Sequence, residues 1–211
     1  MDRDRARIEA CLRRLLPYCE TARVTVTGGV AVEYHLASRK RSALRARFSD
    51  LDLIAAEIEA ISPAVRGDFL ISHYHRAGPA VPKAMLQLVD PESRLRIDVF
   101  PDLDDATANA AWATIGNTTV RVLDADAVVR HKLRTIGKAS PSSPVDPKHW
   151  FDVIALDESL QAALPPPHAP VFRPEVFSTD LDAVCPRCAA SRRNDLALAP
   201  KAEIYAILGY V

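Results

Sequence analysis

Ile8, Cys11, Leu12, Leu15 and Leu16 recur at helical spacing among arginines and predict an amphipathic helix over residues 4–19. The pattern then shortens to period two: Arg23-Val24-Thr25-Val26-Thr27 predicts a strand that Gly28-Gly29 breaks, after which Val30 to Leu36 returns to helical spacing. Further strands are predicted at Asp50–Leu53, Phe69–His75, Met85–Val89, Leu95–Phe100 and Thr118–Leu123, with a helix near 55–66. Asp90-Pro91-Glu92-Ser93 has the chemistry of a hairpin loop. Beyond residue 123 the pattern is helical, over 124–136, 147–160 and 201–208. Strands mixed with helices, with at least one hairpin, predict an α/β or α+β fold on a mixed sheet.

Composition narrows the class. The 211 residues suffice for one substantial core with a small appended unit. The predicted division is a core over residues 1–122 and a helical, proline-rich part over 123–211, because ten of the sixteen prolines fall between 141 and 200. No apolar run approaches the ~20 residues that span a bilayer, and the charged start Met1-Asp2-Arg3-Asp4-Arg5 lacks the apolar stretch of a signal peptide. The expected location is cytoplasmic, with no membrane partner. Twenty-seven basic residues balance twenty-seven acidic ones, so no global field attracts nucleic acid or anionic lipid. Locally, Arg39, Lys40, Arg41, Arg45 and Arg47 cluster ahead of Asp50. They read either as a solvated helix end or as a rim that attracts polyphosphate or RNA.

The candidate chemistry lies in three segments. Asp50 and Asp52 stand two apart in a strand pattern, which points both carboxylates from one face. Asp98, in the alternating run Leu95-Arg96-Ile97-Asp98-Val99-Phe100, adds a third carboxylate if that strand is a neighbour. Clustered carboxylates repel, and a divalent cation relieves them. Upstream, strand, diglycine and helix in that order direct a helix N-terminus and its backbone N–H groups at whatever lies above the turn. Amide donors and an Asp pair together are what a nucleoside triphosphate with its magnesium requires.

Thr27-Gly28-Gly29-Val30-Ala31, Arg47-Phe48-Ser49-Asp50-Leu51-Asp52-Leu53 and Arg96-Ile97-Asp98-Val99 resemble the Gly-Gly, Asp-x-Asp and third-Asp motifs of the nucleotidyltransferase superfamily typified by DNA polymerase beta. Within it the chain looks most like the AbiEii/AbiGii-toxin type. Val128-Val129-Arg130-His131-Lys132-Leu133 and Asp146-Pro147-Lys148-His149-Trp150-Phe151-Asp152 are similar to that type's helical Lys-Leu and Lys-Asp-x-x-Asp signatures. The resemblance covers about residues 24–156. It implies that Asp50, Asp52 and Asp98 bind magnesium, or manganese in its place, and carry catalysis, with Asp98 accepting the proton of the attacking hydroxyl. It implies further that Gly28, Gly29, Ser49, Lys132 and Asp152 bind a nucleoside triphosphate such as ATP. The implied reaction moves a nucleoside monophosphate to a hydroxyl of tRNA or a protein, with a cognate antitoxin as partner. Alternatives are a small-molecule acceptor, as in aminoglycoside nucleotidyltransferases, and a non-catalytic nucleotide-binding scaffold. Two departures stand out: the long gap between Gly29 and Asp50, and His149 where the related signature carries Asp.

Cys185-Pro186-Arg187-Cys188 is half of a zinc knuckle. Cys11 and Cys19, eight apart on the predicted first helix, would be about 12 Å from each other, too far to join one site. Zinc at Cys185 and Cys188, completed by His73 and His75, is the alternative to a reduced cysteine pair. Trp112, Trp150 and Phe151 read as packing residues.

Overall fold

The computed structural model describes residues 2–75, 84–102, 105–137, 146–161 and 198–209. Its strands are β1 (Val24–Val26), β2 (Asp50–Ala55), β3 (Leu70–His75), β4 (Met85–Asp90), β5 (Leu95–Pro101), β6 (Ala110–Ile115) and β7 (Thr118–Leu123). They form a mixed sheet in the order β3-β4-β5-β2-β1-β7-β6. Pairs β1/β7 and β2/β5 are parallel; the other neighbours run antiparallel. The helices are α1 (Asp2–Leu15), α2 (Gly28–Ser38), α3 (Ala125–Ile136), α4 (Lys148–Leu156) and α5 (Lys201–Leu208). The fold is therefore the mixed α/β arrangement that the alternation predicts.

Period-two patterning decides which side chains reach the core. Leu51 and Leu53 of β2 and Leu95, Ile97 and Val99 of β5 are buried, while Asp50, Asp52, Arg96 and Asp98 project from the opposite face. On α1, Ile8, Cys11, Leu12 and Leu15 supply the apolar stripe, and α1 and α2 lie against β7 and β2. Helices α3 and α4 pack on each other and on α2, which brings the helical C-terminal segment onto the same core. Among the described residues no helix is long and apolar enough to cross a membrane.

Four expectations change. The first helix stops at Leu15 and passes through a 3₁₀ turn, so Cys19 is extended and bridges to Ile61 rather than sitting on the helix. Residues 55–66 are not a helix: β2 continues to Ala55, and two 3₁₀ turns follow at Ile58–Ala60 and Pro63–Gly67. Pro63 denies a continuous helix its hydrogen bond, and Ser62 caps the second turn through Ala64 N. Strand β6 was not predicted, although Gly116-Asn117 joins it to β7 as a two-residue hairpin with Gly116 at φ 61°. Trp112 and Phe151 are 57% and 52% exposed, so neither is a packing residue. Cys185, Cys188 and most of the proline-rich stretch lie outside the described residues.

One buried polar cluster fastens α1 to the β4–β5 turn. Asp90, fully buried, accepts from Ser93 Oγ at 2.6 Å and Glu92 N at 3.1 Å, and Arg14 Nε lies 3.5 Å away. Burial and the neighbouring Asp90 push the Cys11 thiol up to about 12, so Cys11 is an uncharged core residue. Asp90→Ala leaves Ser93 Oγ and Glu92 N without their acceptor, while Arg14 keeps Glu92 and Asp68 O; urea unfolding is expected to show a loss of about 1–3 kcal/mol.

Candidate active site

The diglycine sits directly on the Asp-x-Asp strand. Thr27 N donates to Asp52 O at 2.9 Å as β1 ends, and α2 starts at once with Gly28 at φ +63°. A Cβ at Gly28 would collide with the Asp52 carboxylate. Both the left-handed backbone and the contact therefore require glycine. Thr27 makes no side-chain cap bond, so the first-turn amides of α2 are left to other acceptors. Gly29 lies under Arg45, whose Nε would stand 3.0 Å from a Cβ placed there.

Sheet register gathers the carboxylates. In the parallel β2/β5 pair Asp52 is opposite Asp98 and Asp50 is opposite Arg96. Burial, then Asp50, then Asp98 push the Asp52 carboxyl up to about 6, with Lys132 and Lys148 only partly offsetting them. Asp98 is better compensated. Its Oδ1 accepts from Gln87 Nε2 at 2.8 Å, and its Oδ2 faces Arg96 Nε at 3.2 Å and Nη2 at 3.1 Å. The same Nη2 reaches Asp50 Oδ2 at 3.0 Å. Among the described residues, no three His, Cys, Asp or Glu side chains converge on one point as a metal ion requires. At this face a guanidinium stands between two of the carboxylates. The donor set, three hard carboxylate oxygens with Asp52 left at high energy, nonetheless fits magnesium or manganese in kind.

Lys132 and Asp152 form the wall beside this face. Lys132 is 5% exposed and Asp152 1%. Lys132 Nζ lies 2.9 Å from Asp152 Oδ2, outside hydrogen-bond angles, and 3.3 Å from His149 Nδ1. Burial, Lys132 and Lys148 lower His149 to about 4, so the neutral ring accepts from the ammonium. Asp152 Oδ1 takes Arg45 Nη2 at 2.5 Å, and Glu33 Oε1 receives Leu44 N and Arg45 N at 3.0 Å each. Lys132 is thus held by Asp152 and His149, and its charge reaches Asp52 through space.

Much of the basic cluster has internal work. Arg39 and Arg41 donate to Leu156 O and Ala155 O, and Arg41 also pairs with Glu158. With Arg45 on Asp152, three of the five cations tie the 39–48 segment to α4, while Lys40 and Arg47 are exposed. Ser49, also exposed, immediately precedes Asp50. A cavity of about 350 Å3 opens between α1, α2 and this segment. Phe48, Val30, Tyr34, Ile8 and Arg45 line it, and none of the three carboxylates does.

No protein-family model matches the chain, and a search of curated proteins finds no relative. Solved structures do show likeness. The antibiotic-resistance factor ANT(2'')-Ia is 17% identical, over 76% of this chain and 87% of its own, with a TM-score of 0.49. The Megavirus polyadenylate synthase is 12% identical with a TM-score of 0.49; 77% of this chain aligns, spanning 34% of the synthase. A nucleotidyltransferase-like antigenic protein from Paracoccidioides brasiliensis is 16% identical, over 63% of this chain and 66% of its own, with a TM-score of 0.35. What the site can do rests on its own residues.

Arg96 and Gln87 are functional residues to which the sequence pattern assigns no role. The signal for Arg96 was present: an Arg two residues before a strand-borne Asp shares that Asp's face. Gln87 could be found only through the β4/β5 register, which sets it opposite Asp98. Cys19, His73 and His75 form no metal cluster among the described residues; the two histidine rings pack edge to face at 5.2 Å.

The raised Asp52 carboxyl makes a signed prediction. Its folded value, about 6, lies above the ordinary 3.8, so the folded state holds the proton more tightly. The associated stability is present at pH 4 and is lost as pH rises through 6. In chelator, Asp52→Asn is expected to raise the thermal midpoint at pH 7.5, with a ceiling of about 3 kcal/mol, and to leave it unchanged at pH 4.

Proposed function

We infer that this protein is a metal-dependent nucleotidyltransferase that moves a nucleoside monophosphate from a nucleoside triphosphate to a hydroxyl acceptor. The observation that carries the reading is the contact of Gly28 with Asp52 beneath a helix start, with Asp98 opposite Asp52 on the next strand. Phosphate-binding amides and cation-binding carboxylates are thereby held side by side by backbone geometry. The catalytic core is assigned to residues 1–122, with the helices of 123–211 laid over it.

Each residue then has a role. The Gly28 and Gly29 amides and the α2 dipole hold the phosphates, with Ser49 at the edge of the site. Asp50, Asp52 and Asp98 would hold the cation. Bound magnesium, or manganese in its place, supplies positive charge that neutralises the triphosphate and acidifies the attacking hydroxyl. The acceptor oxygen bonds to the α-phosphorus, the bond from that phosphorus to the bridging oxygen breaks, and pyrophosphate departs with its electron pair. Asp98 takes the hydroxyl proton. Lys132, fixed by Asp152 and His149, keeps positive potential over the face, and Asp152 acts on the nucleotide through it.

For the acceptor, a macromolecule such as tRNA or a protein, with an antitoxin to restrain the activity, is one reading. A small molecule is the other. It is supported by the engagement of Arg39, Arg41 and Arg45 within the protein, which leaves little free cationic rim for RNA; the cavity beside Phe48 lies away from the three carboxylates and does not bear on the acceptor.

The test is transfer of label. Incubation with each α-labelled ribonucleoside triphosphate, magnesium, and either total tRNA and protein or a panel of polyhydroxylated small molecules is expected to move label to one acceptor class. Asp50→Ala is expected to reduce transfer at least 100-fold while retaining the folded circular-dichroism spectrum. Folded protein that binds triphosphate yet transfers nothing to any acceptor would support the scaffold alternative.

A further inference from the structure

Arg96 occupies the place where a bridging cation belongs. Its Nη2 is 3.0 Å from Asp50 Oδ2 and 3.1 Å from Asp98 Oδ2, and its Nε is 3.2 Å from the same Asp98 oxygen. This is not a loose surface pair. Arg96 is opposite Asp50 in the β2/β5 register and two residues before Asp98 on one strand, so the sheet delivers the guanidinium to both carboxylates together. Gln87, steadied by Ser72 Oγ at 2.7 Å, fixes the other oxygen of Asp98. The arrangement leaves Asp52 outside the fork.

Guanidinium and a divalent cation compete for these oxygens. A magnesium-type ion needs carboxylate oxygens at about 2.1 Å, whereas the oxygens are now spread around a nitrogen at hydrogen-bond distance, and two cations within this space repel. Arg96 lies at the outer edge of the pair and outside the apolar core: its side chain is 32% exposed, against 23% for Asp50 and 9% for Asp98.

Resting on the nucleotidyltransferase reading, we propose that Arg96 is the resident counter-ion of the metal-free site, and that a divalent cation binds only by displacing it from Asp50 and Asp98. The consequence is regulatory. Metal affinity is set by a competition inside the protein, so the site resists loading at low cation concentration, and Arg96 is a positioning residue whose removal makes metal binding tighter instead of weaker. A merely structural ion pair predicts the reverse: its loss would let the carboxylates spread and weaken the site.

Manganese binding to the full chain, followed by electron paramagnetic resonance without nucleotide, separates these outcomes. Arg96→Gln is expected to bind at least fivefold more tightly than the parent, with a lower thermal midpoint in chelator and a larger rise on adding manganese. If the Gln variant does not fold, Arg96→Lys, a point cation without the fork, is expected to bind at least twofold more tightly. Equal or weaker binding in the folded variant would overturn the proposal and leave the metal site standing. Absence of binding in parent and variant alike would remove the metal site, and the proposal with it.

Discussion

Three carboxylates held on one face of a sheet is the constraint around which the rest of this molecule is arranged. Strand pairing puts Asp52 against Asp98 and Asp50 one step along, and neither strand can slip by a residue without turning Leu51, Leu53, Ile97 and Val99 out of the core. Hydrophobic burial therefore enforces an electrostatic arrangement that is unfavourable in itself. Asp52, raised to about 6 by burial and by its two neighbours, measures the residue of that conflict. Local destabilisation retained by a well-packed core is characteristic of sites selected for chemistry rather than stability.

The surroundings reduce the conflict in layers. Arg96 neutralises Asp50 and Asp98 by direct contact. Lys132 and Lys148 act on Asp52 from a distance, and Lys132 is fixed by Asp152 and a neutral His149. Asp152 in turn receives Arg45 from the 39–48 segment, so the long connection between diglycine and Asp-x-Asp is fastened to α4 instead of hanging free. Replacing the expected Asp by His149 suits this wall: a second carboxylate would add negative charge where Asp152 already suffices, whereas a neutral ring accepts from Lys132 without any.

The elements that carry the site were readable in the sequence because their signals are local. Gly28-Gly29 between a period-two run and a helical one, and Asp50-x-Asp52 within apolar neighbours, need no tertiary information. The failures have tertiary causes. Residues 55–61 look helical by spacing, but Ala55 is taken into β2 and Ile61 bridges to Cys19, so pairing overrides periodicity. Strand β6, Ala-Ala-Trp-Ala-Thr-Ile, has weak alternation, and only its Gly-Asn hairpin turn marks it. The role of Arg45 depends on a partner 107 residues away, and that of Arg96 on one 46 residues away besides Asp98 two residues on, so no short window along the chain contains either set whole.

Anomalous diffraction from crystals grown with manganese and a non-hydrolysable nucleoside triphosphate tests the central claim most directly. The account predicts a manganese peak within coordination distance of Asp50 and Asp52, the phosphates against the Gly28–Gly29 amides, and Arg96 withdrawn from both carboxylates. Manganese bound elsewhere, or a triphosphate seated away from the diglycine turn with the Arg96 pairs intact, would contradict it.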